Sequence, residues 1–330
     1  MAVPVMDFPV ATAIAVAMRR VASTDDVEAP GTIDRQVLAA AWTHLLGRHE
    51  PLDQDRLPHR SSEELAQAIA DAPTRELALR FAVVAALVQA RTDPRRLAIV
   101  RDIAAAWSLT PGHVAQLAAI VDGRLKLAIA DIVRRDRTSF GLPFDAGPIT
   151  TEFGASDNGR AEPSLAARFR ALAARPPRTL GRAFYNHYVA NGFRFPGERG
   201  ALAESSATPH DAAHILSGYT ASAQGELLVG TFTAAMHQDD PSGVILPALT
   251  LWHLGFHFPA HVAPARNWLE PEKFFVAWER GRATRLDLLG PEFVFWDNID
   301  RTVDELRRAA GIQVLERRYA ADGPDVVIPR

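Results

Sequence analysis

His210, Asp211 and His214 stand in the order His-Asp-x-x-His, and Glu226 follows after eleven residues. On an α-helix, residues four apart lie one above the other and an immediate neighbour projects about 100° around the axis. Two imidazoles on such a segment share a face, and the Asp211 carboxylate can converge with them on one ion. Glu226 adds a separate argument. From Ala212 to Ala265 the only formal charges are Glu226, Asp239 and Asp240. A carboxylate buried in so apolar a stretch is costly or becomes protonated unless something positive faces it, and a cation meets that need.

A single continuous helix would carry Glu226 about 18 Å beyond His214, so the chain must turn back for the four groups to meet. Ser217-Gly218-Tyr219-Thr220 supplies a helix stop. Thr220 or Ser222 can then cap a second helix with Glu226 in its first two turns. A plainer reading stands beside this one: His210-Asp211 opens a helix, Asp211 sits at the positive end of its dipole, and His214 is a core histidine. Other metal motifs fit less well. A zincin has Glu beside its first histidine where this chain has Asp211, and the paired Glu-x-x-His segments of a di-iron bundle are absent, as is a phosphate-binding glycine loop. The chain has no cysteine, which excludes disulfides, thiolate zinc sites, iron–sulfur clusters and thiol nucleophiles.

The elements that must position these residues are helical. With 330 residues, 48% apolar and 23% charged, the chain has an ordinary globular composition at about twice the usual domain size. Ser61-Ser62-Glu63-Glu64 offers a capping box, and Asp93-Pro94 and Thr110-Pro111 place a cap before proline. Leu97, Val100, Ile103 and Trp107 share one helix face, Val114, Leu117 and Val121 another, and Leu125, Ile129 and Ile132 a third. Later helices are expected over Ser164–Ala174, from a Thr179 cap to a Gly192 stop, and over Thr302–Ala310 before Gly311. Only Gln313–Tyr319 and Val326–Pro329 suggest short extended pieces. The fold class read from this pattern is mainly α, with two helical domains, each with its own core. Residues 1–145 form a domain of unknown role and 160–315 a helical bundle with a metal site between two helices, while 316–330 form a tail. The boundary falls in the Gly- and Pro-rich segment 137–160.

A formal net charge of −3 gives no nucleic-acid footprint, and 34 arginines against two lysines reflect composition bias. Asp7 precedes the first apolar stretch and Arg19-Arg20 follow it, the reverse of a secretory signal, so a cytoplasmic address is expected. The longest run without Asp, Glu, Lys or Arg, Pro241–Ala265, contains four prolines; it could rest on a membrane but not span one.

The residues from about 165 to 312, and most closely from Thr179 to Ile312, resemble the coenzyme Q biosynthesis protein 4 family, whose hallmark is His-Asp-x-x-His, eleven residues, then Glu. His210, Asp211, His214 and Glu226 match it. Thr179-Leu180-Gly181-Arg182 with Asn191-Gly192 resembles the family's upstream helix, and Gln224-Gly225-Glu226-Leu227-Leu228 its second ligand helix. Trp278-Glu279-Arg280-Gly281 and Asp304-Glu305-Leu306-Arg307-Arg308 resemble its C-terminal pattern. The resemblance implies a helical zinc protein of ubiquinone biosynthesis, with those four residues as ligands. Such a protein removes the ring carboxyl of a polyprenylated hydroxybenzoate, puts a hydroxyl in its place, and associates with membranes and other quinone-pathway enzymes. Two histidines with carboxylates are also a non-haem iron set, so iron is the alternative metal. The first 150 residues depart from the family and weakly resemble a TerB-like helical domain. They leave open a non-catalytic lipid-binding or scaffold role in which the metal is structural.

An isoprenoid tail would need an apolar groove, for which Tyr185, Leu246, Leu249, Trp252 and Phe256 are the candidates, ordinary core being the competing reading. Tyr185, His187 and Tyr188 precede the motif on the Thr179 helix, where Tyr188 continues the Leu180 and Phe184 face and is assigned to packing. His253, His257 and His261 recur at four-residue spacing, but Pro259 interrupts them and no carboxylate joins them. His237 with Asp239 and Asp240 reads as a polar turn. His44, His49, His59 and His113 are scattered and form no constellation.

Overall fold

The computed structural model describes residues 5–24, 30–124, 128, 161–237, 241–256 and 262–323. Among them are fourteen α-helices and no strand; two isolated bridges, Thr179 with Thr302 and Leu254 with Arg266, are the extended pairings. The protein is mainly α. Gln313–Tyr319 is not a strand: the segment ends in a 3₁₀ turn over Arg317–Tyr319, and without a neighbouring strand its alternation has nothing to pair with. Val326–Pro329, the 137–160 segment and Leu125, Ile129 and Ile132 lie outside the described residues.

The first half packs around α1 (Phe8–Ala22), from Ala13 onward buried on every side, which makes it the central helix rather than a surface one. Arg19 and Arg20 at its end turn inward. Arg19 donates to the carbonyls of Leu57 and Pro58, and Arg20 to Ser62 Oγ. Around α1 lie α2 (Thr32–Ala40), α3 (Ser62–Ala68), α4 (Ala72–Leu87) and α5 (Pro94–Ala106), and α6 (Gly112–Val121) packs on α4 and α5. The Ser61 capping box and the Asp93 cap with Pro94 at the first helical position form as the sequence predicts. At α6 the helix starts one residue later than expected, with Pro111 itself in the cap position. Asp34 and Arg96, both buried, pair at 3.0 Å, and Arg96 also donates to the carbonyls of Ala22 and Ala85, joining four of these helices.

The second half comprises α7 (Pro163–Arg170), α8 (Leu180–Asn191), α9 (Glu204–Ser217), α10 (Ala223–Met236), α11 (Pro241–Trp252), α12 (Pro271–Arg282), α13 (Phe295–Asn298) and α14 (Val303–Ala310). Thr179 caps α8 and Gly192 ends it in the left-handed region at φ 66°; Thr302 and Gly311 do the same for α14.

Two buried clusters organise the molecule. The smaller lies within the second half and joins Phe169, Phe184, Tyr188, Leu216, Phe232 and Phe295 among others. The larger draws on both halves: Phe81 of α4 packs edge-on against Trp278 and tilted against Phe275 of α12, with ring centroids 4.9 and 5.4 Å apart. A separate core for each half does not describe this packing. Helix α10 is apolar nearly all round because it is packed between α11 and α12, and it is α11 and α12 that turn their other faces to the first half. A polar tie reinforces the seam. A π turn at Ala41–Leu45 extends α2 and carries His44, which bridges Glu279 and Glu272 of α12 at 2.5 and 2.8 Å. No described helix is long and apolar enough to cross a membrane.

Candidate metal centre

Helix α9 begins at Glu204, so His210 and Asp211 lie in its second turn and are not a helix-start pair. Gly218, at φ 88°, ends the helix, and Ser222 caps α10 by accepting from the Gly225 backbone N–H. Glu226 is the fourth residue of α10. The reversal between them is tight: a Cβ on Gly225 would lie 1.8 Å from the Thr220 carbonyl oxygen, so only glycine lets the turn fold over the start of α10. This contact brings Glu226 back onto the face of α9.

Three donor atoms meet there. His210 Nε2 and His214 Nε2 are 3.2 Å apart, and Glu226 Oε2 lies 3.2 Å from the first and 3.4 Å from the second. His214 Nδ1 donates to the Tyr219 carbonyl at 3.0 Å, which places the proton of a neutral ring on Nδ1 and leaves Nε2 with a lone pair toward the triangle. Two imidazole nitrogens and a carboxylate oxygen at these separations need positive charge between them. His210, Asp211 and His214 also each offer an atom within 4.8 Å of the others. The cluster can therefore hold a metal ion.

Asp211 is held from the other side. Its Oδ2 accepts the Tyr188 hydroxyl at 2.5 Å, and its Oδ1 faces His187 Nε2 at 3.7 Å. Tyr188 thus does more than pack: its ring stacks on Phe184 while its hydroxyl serves Asp211. That its hydroxyl needs some partner follows from a tyrosine on a buried face, but the sequence does not say which.

The electrostatics agree with this arrangement. Burial pushes the Glu226 carboxyl up, but the facing His214 and His210 outweigh it and hold the group well below the usual carboxylate range. Asp211 is likewise raised by burial and lowered more by His187, His210 and His214. Burial and the Asp211 charge hold the Tyr188 phenol protonated far above its ordinary range.

The end of α9 is fixed by two arginines that sequence reasoning left without a role. Arg280 of α12 donates to the carbonyls of Ser217 and Gln313, both at 2.7 Å, and Arg307 of α14 to those of Ile215 and Leu216, both at 2.9 Å. The carbonyls of Ile215, Leu216 and Ser217 are the last of α9 and have no partner within the helix, and cations suit that end of its dipole. Both arginines fall in the C-terminal segments singled out above.

The other sequence candidates sit elsewhere. Leu246, Leu249 and Trp252 on α11 are buried in the larger cluster, and Phe256 packs against it, while Tyr185 stacks on Phe195 with centroids 5.5 Å apart. His253 is fully buried. Its Nε2 faces the carbonyls of Leu87 and Val88 and its Nδ1 accepts from the Leu269 N–H, so it stitches the end of α4 to α11 and is no ligand. His237 pairs with Asp287 at 2.8 Å. His257, His261, Asp239 and Asp240 lie outside the described residues.

Compared with models of known protein families and with curated proteins, the sequence finds no match.

Proposed function

We propose that this protein is a metal-dependent decarboxylase of an aromatic acid, in the class of polyprenylated hydroxybenzoates, with zinc as its resident ion. The observation that carries the metal reading is the triangle of His210 Nε2, His214 Nε2 and Glu226 Oε2, with edges of 3.2, 3.2 and 3.4 Å. Zinc bonds of 2.0–2.1 Å in a tetrahedron give ligand-to-ligand edges of about 3.3–3.4 Å, whereas an octahedral ion at similar bond lengths gives about 2.8–3.0 Å. Edges of 3.2, 3.2 and 3.4 Å accept a divalent ion touching all three atoms, and the choice of zinc over iron rests on the resemblance noted above.

A catalytic role is supported by the asymmetry of exposure. His214 and Glu226 are buried, while the His210 side chain is 32% exposed, so one edge of the centre opens toward solvent. A bound divalent ion supplies Lewis acidity to a carboxylate or phenolate oxygen and stabilises the charge left as carbon dioxide departs. The protein's own groups would hold the ion through His210, His214 and Glu226, and Asp211, oriented by Tyr188, would be the further carboxylate facing it. The reaction breaks the bond from ring to carboxyl carbon, leaves the electron pair on the ring and takes up one proton there. Replacement by a hydroxyl would further require dioxygen. The choice of substrate rests on the resemblance to the coenzyme Q biosynthesis protein 4 family, as do the isoprenoid tail, peripheral membrane contact and quinone-pathway partners.

A second reading has its own observation. Glu226 on α10 and the histidines on α9 tie two helices, so the ion could serve folding alone in a lipid-binding or scaffold protein. Carbon dioxide release from a prenylated 4-hydroxybenzoate, measured with the zinc-loaded protein, distinguishes the two. Turnover that falls in Glu226→Gln while the fold persists supports the enzyme. No turnover on any hydroxybenzoate by the loaded protein overturns it in favour of the structural ion.

A further inference from the structure

His187 of α8 lies against the metal centre without a role in it so far. Its side chain is 12% exposed, and its Nε2 is buried and has no hydrogen-bond partner among the described residues. A buried ring nitrogen without a partner is costly enough to need a reason. Its surroundings supply one. Nε2 points to within 3.7 Å of Asp211 Oδ1, and the ring lies nearly parallel to that of His214, with 26° between planes and centroids 5.6 Å apart. On the other side it meets Phe193 edge-on at 5.7 Å, which limits the room for the ring to swing away.

The next residue on α8, Tyr188, already holds the other oxygen of the same carboxylate at 2.5 Å. Consecutive residues of one helix therefore address the two oxygens of Asp211. One contact is closed, and the other is short of a hydrogen bond by about 0.7 Å against the usual ~3.0 Å.

We propose that His187 is a positioning residue of the metal centre: its Nε2–H donates to Asp211 Oδ1 and, with the Tyr188 hydroxyl, fixes how the Asp211 carboxylate is presented to the ion. This rests on the metal reading above and extends it to two residues outside the His-Asp-x-x-His and Glu pattern. Groups that orient a metal-binding carboxylate govern affinity and geometry without touching the ion, and their loss commonly lowers affinity about 10- to 100-fold. A histidine placed only to fill space would have no such effect, because a ring of similar size would replace it.

The test compares full-length wild type, His187→Ala, His187→Gln and Tyr188→Phe. Zinc affinity is read by competition with a chromophoric chelator, site geometry from the visible spectrum of the cobalt(II)-loaded proteins, and stability from melts of the metal-free proteins. His187→Ala is expected to weaken zinc binding about 10- to 100-fold and alter the cobalt spectrum, with the metal-free melt unchanged. His187→Gln, whose amide nitrogen can overlie Nε2, is expected to restore most of both, and Tyr188→Phe to act in the same direction as the alanine variant. Should His187→Ala fail to fold, His187→Phe keeps the ring, removes its nitrogens and takes its place. Unchanged affinity and spectrum would overturn the role of His187 alone. A loss as complete as that of Glu226→Gln would make His187 a direct ligand and overturn positioning. Wild-type protein that takes up no zinc would overturn the metal reading itself.

Discussion

Glu226 carries the greatest burden of any single residue. It is a buried carboxylate whose close ionisable partners among the described residues are His210 and His214, and their contact favours its ionised form against the cost of burial. Glu226→Gln keeps shape and volume and removes the charge, so zinc affinity is expected to fall by roughly 100-fold or more. Equilibrium dialysis against buffered zinc measures this, and undiminished uptake would refute the ligand role. The convergence of His210, His214 and Glu226 was legible in the sequence because their spacing and the uncharged stretch around Glu226 are local properties. The attachment of Asp211 to Tyr188 was not. Tyr188 lies 23 positions earlier on another helix, and its place on the Leu180 and Phe184 face signalled packing, which it also does.

Helix ends were similarly legible wherever a side chain caps its own helix: Thr179, Ser222 and Thr302 at starts, Gly192, Gly218 and Gly311 at stops. The start of α9 was not: His210-Asp211 also reads as a helix-start pair, whereas the helix begins at Glu204. Nor could spacing disclose that Arg280 and Arg307 close the end of α9 from two other helices. Arg280 is buried, and removing it strands the carbonyls of Ser217 and Gln313. Arg280→Ala is therefore expected to cost about 2–4 kcal/mol by urea denaturation, and to weaken zinc binding through His214 at the same helix end. A loss below about 0.5 kcal/mol, the range of an ordinary surface change, would count against the clamp. At the opposite side of the turn, Gly225→Ala would drive a methyl into the Thr220 carbonyl and displace Glu226. Its expected signature is lost zinc uptake in a chain that retains helical circular dichroism; normal uptake would show that the turn can relax.

Across the whole molecule, the helical class followed from 3.6-residue periodicity, but the distribution of its core did not. Periodicity shows which face of a helix is apolar and not which helix will cover it, so Phe81 against Phe275 and Trp278 was invisible until the chain was folded. The same holds for Leu246 and Leu249, which pack in the core shared with the first half. Cutting the chain within the Gly- and Pro-rich segment 137–160 is expected to give two fragments that co-elute on gel filtration, held by that core. Fragments that separate would show two independent bodies. His44 gives the seam a pH dependence. Burial lowers its pKa, but Glu272 and Glu279 outweigh this and bring it from 6.5 up to about 9. A raised pKa in the folded state means the stabilisation is full below about pH 6.5 and fades as pH rises through about 9. Between those limits wild type is expected to lose roughly 1–3 kcal/mol more stability than His44→Gln, read from urea melts at both ends. Equal pH slopes for the two proteins would remove His44 from the seam.

The central claim is that α9 and α10 together hold one metal ion through His210, His214 and Glu226. Elemental analysis of the purified full-length protein after dialysis against buffered zinc tests it most directly. About one equivalent of zinc per chain is expected, as a single site requires, and its loss in Glu226→Gln. A wild-type protein that retains neither zinc nor iron, or a Glu226→Gln variant that retains a full equivalent, would contradict it.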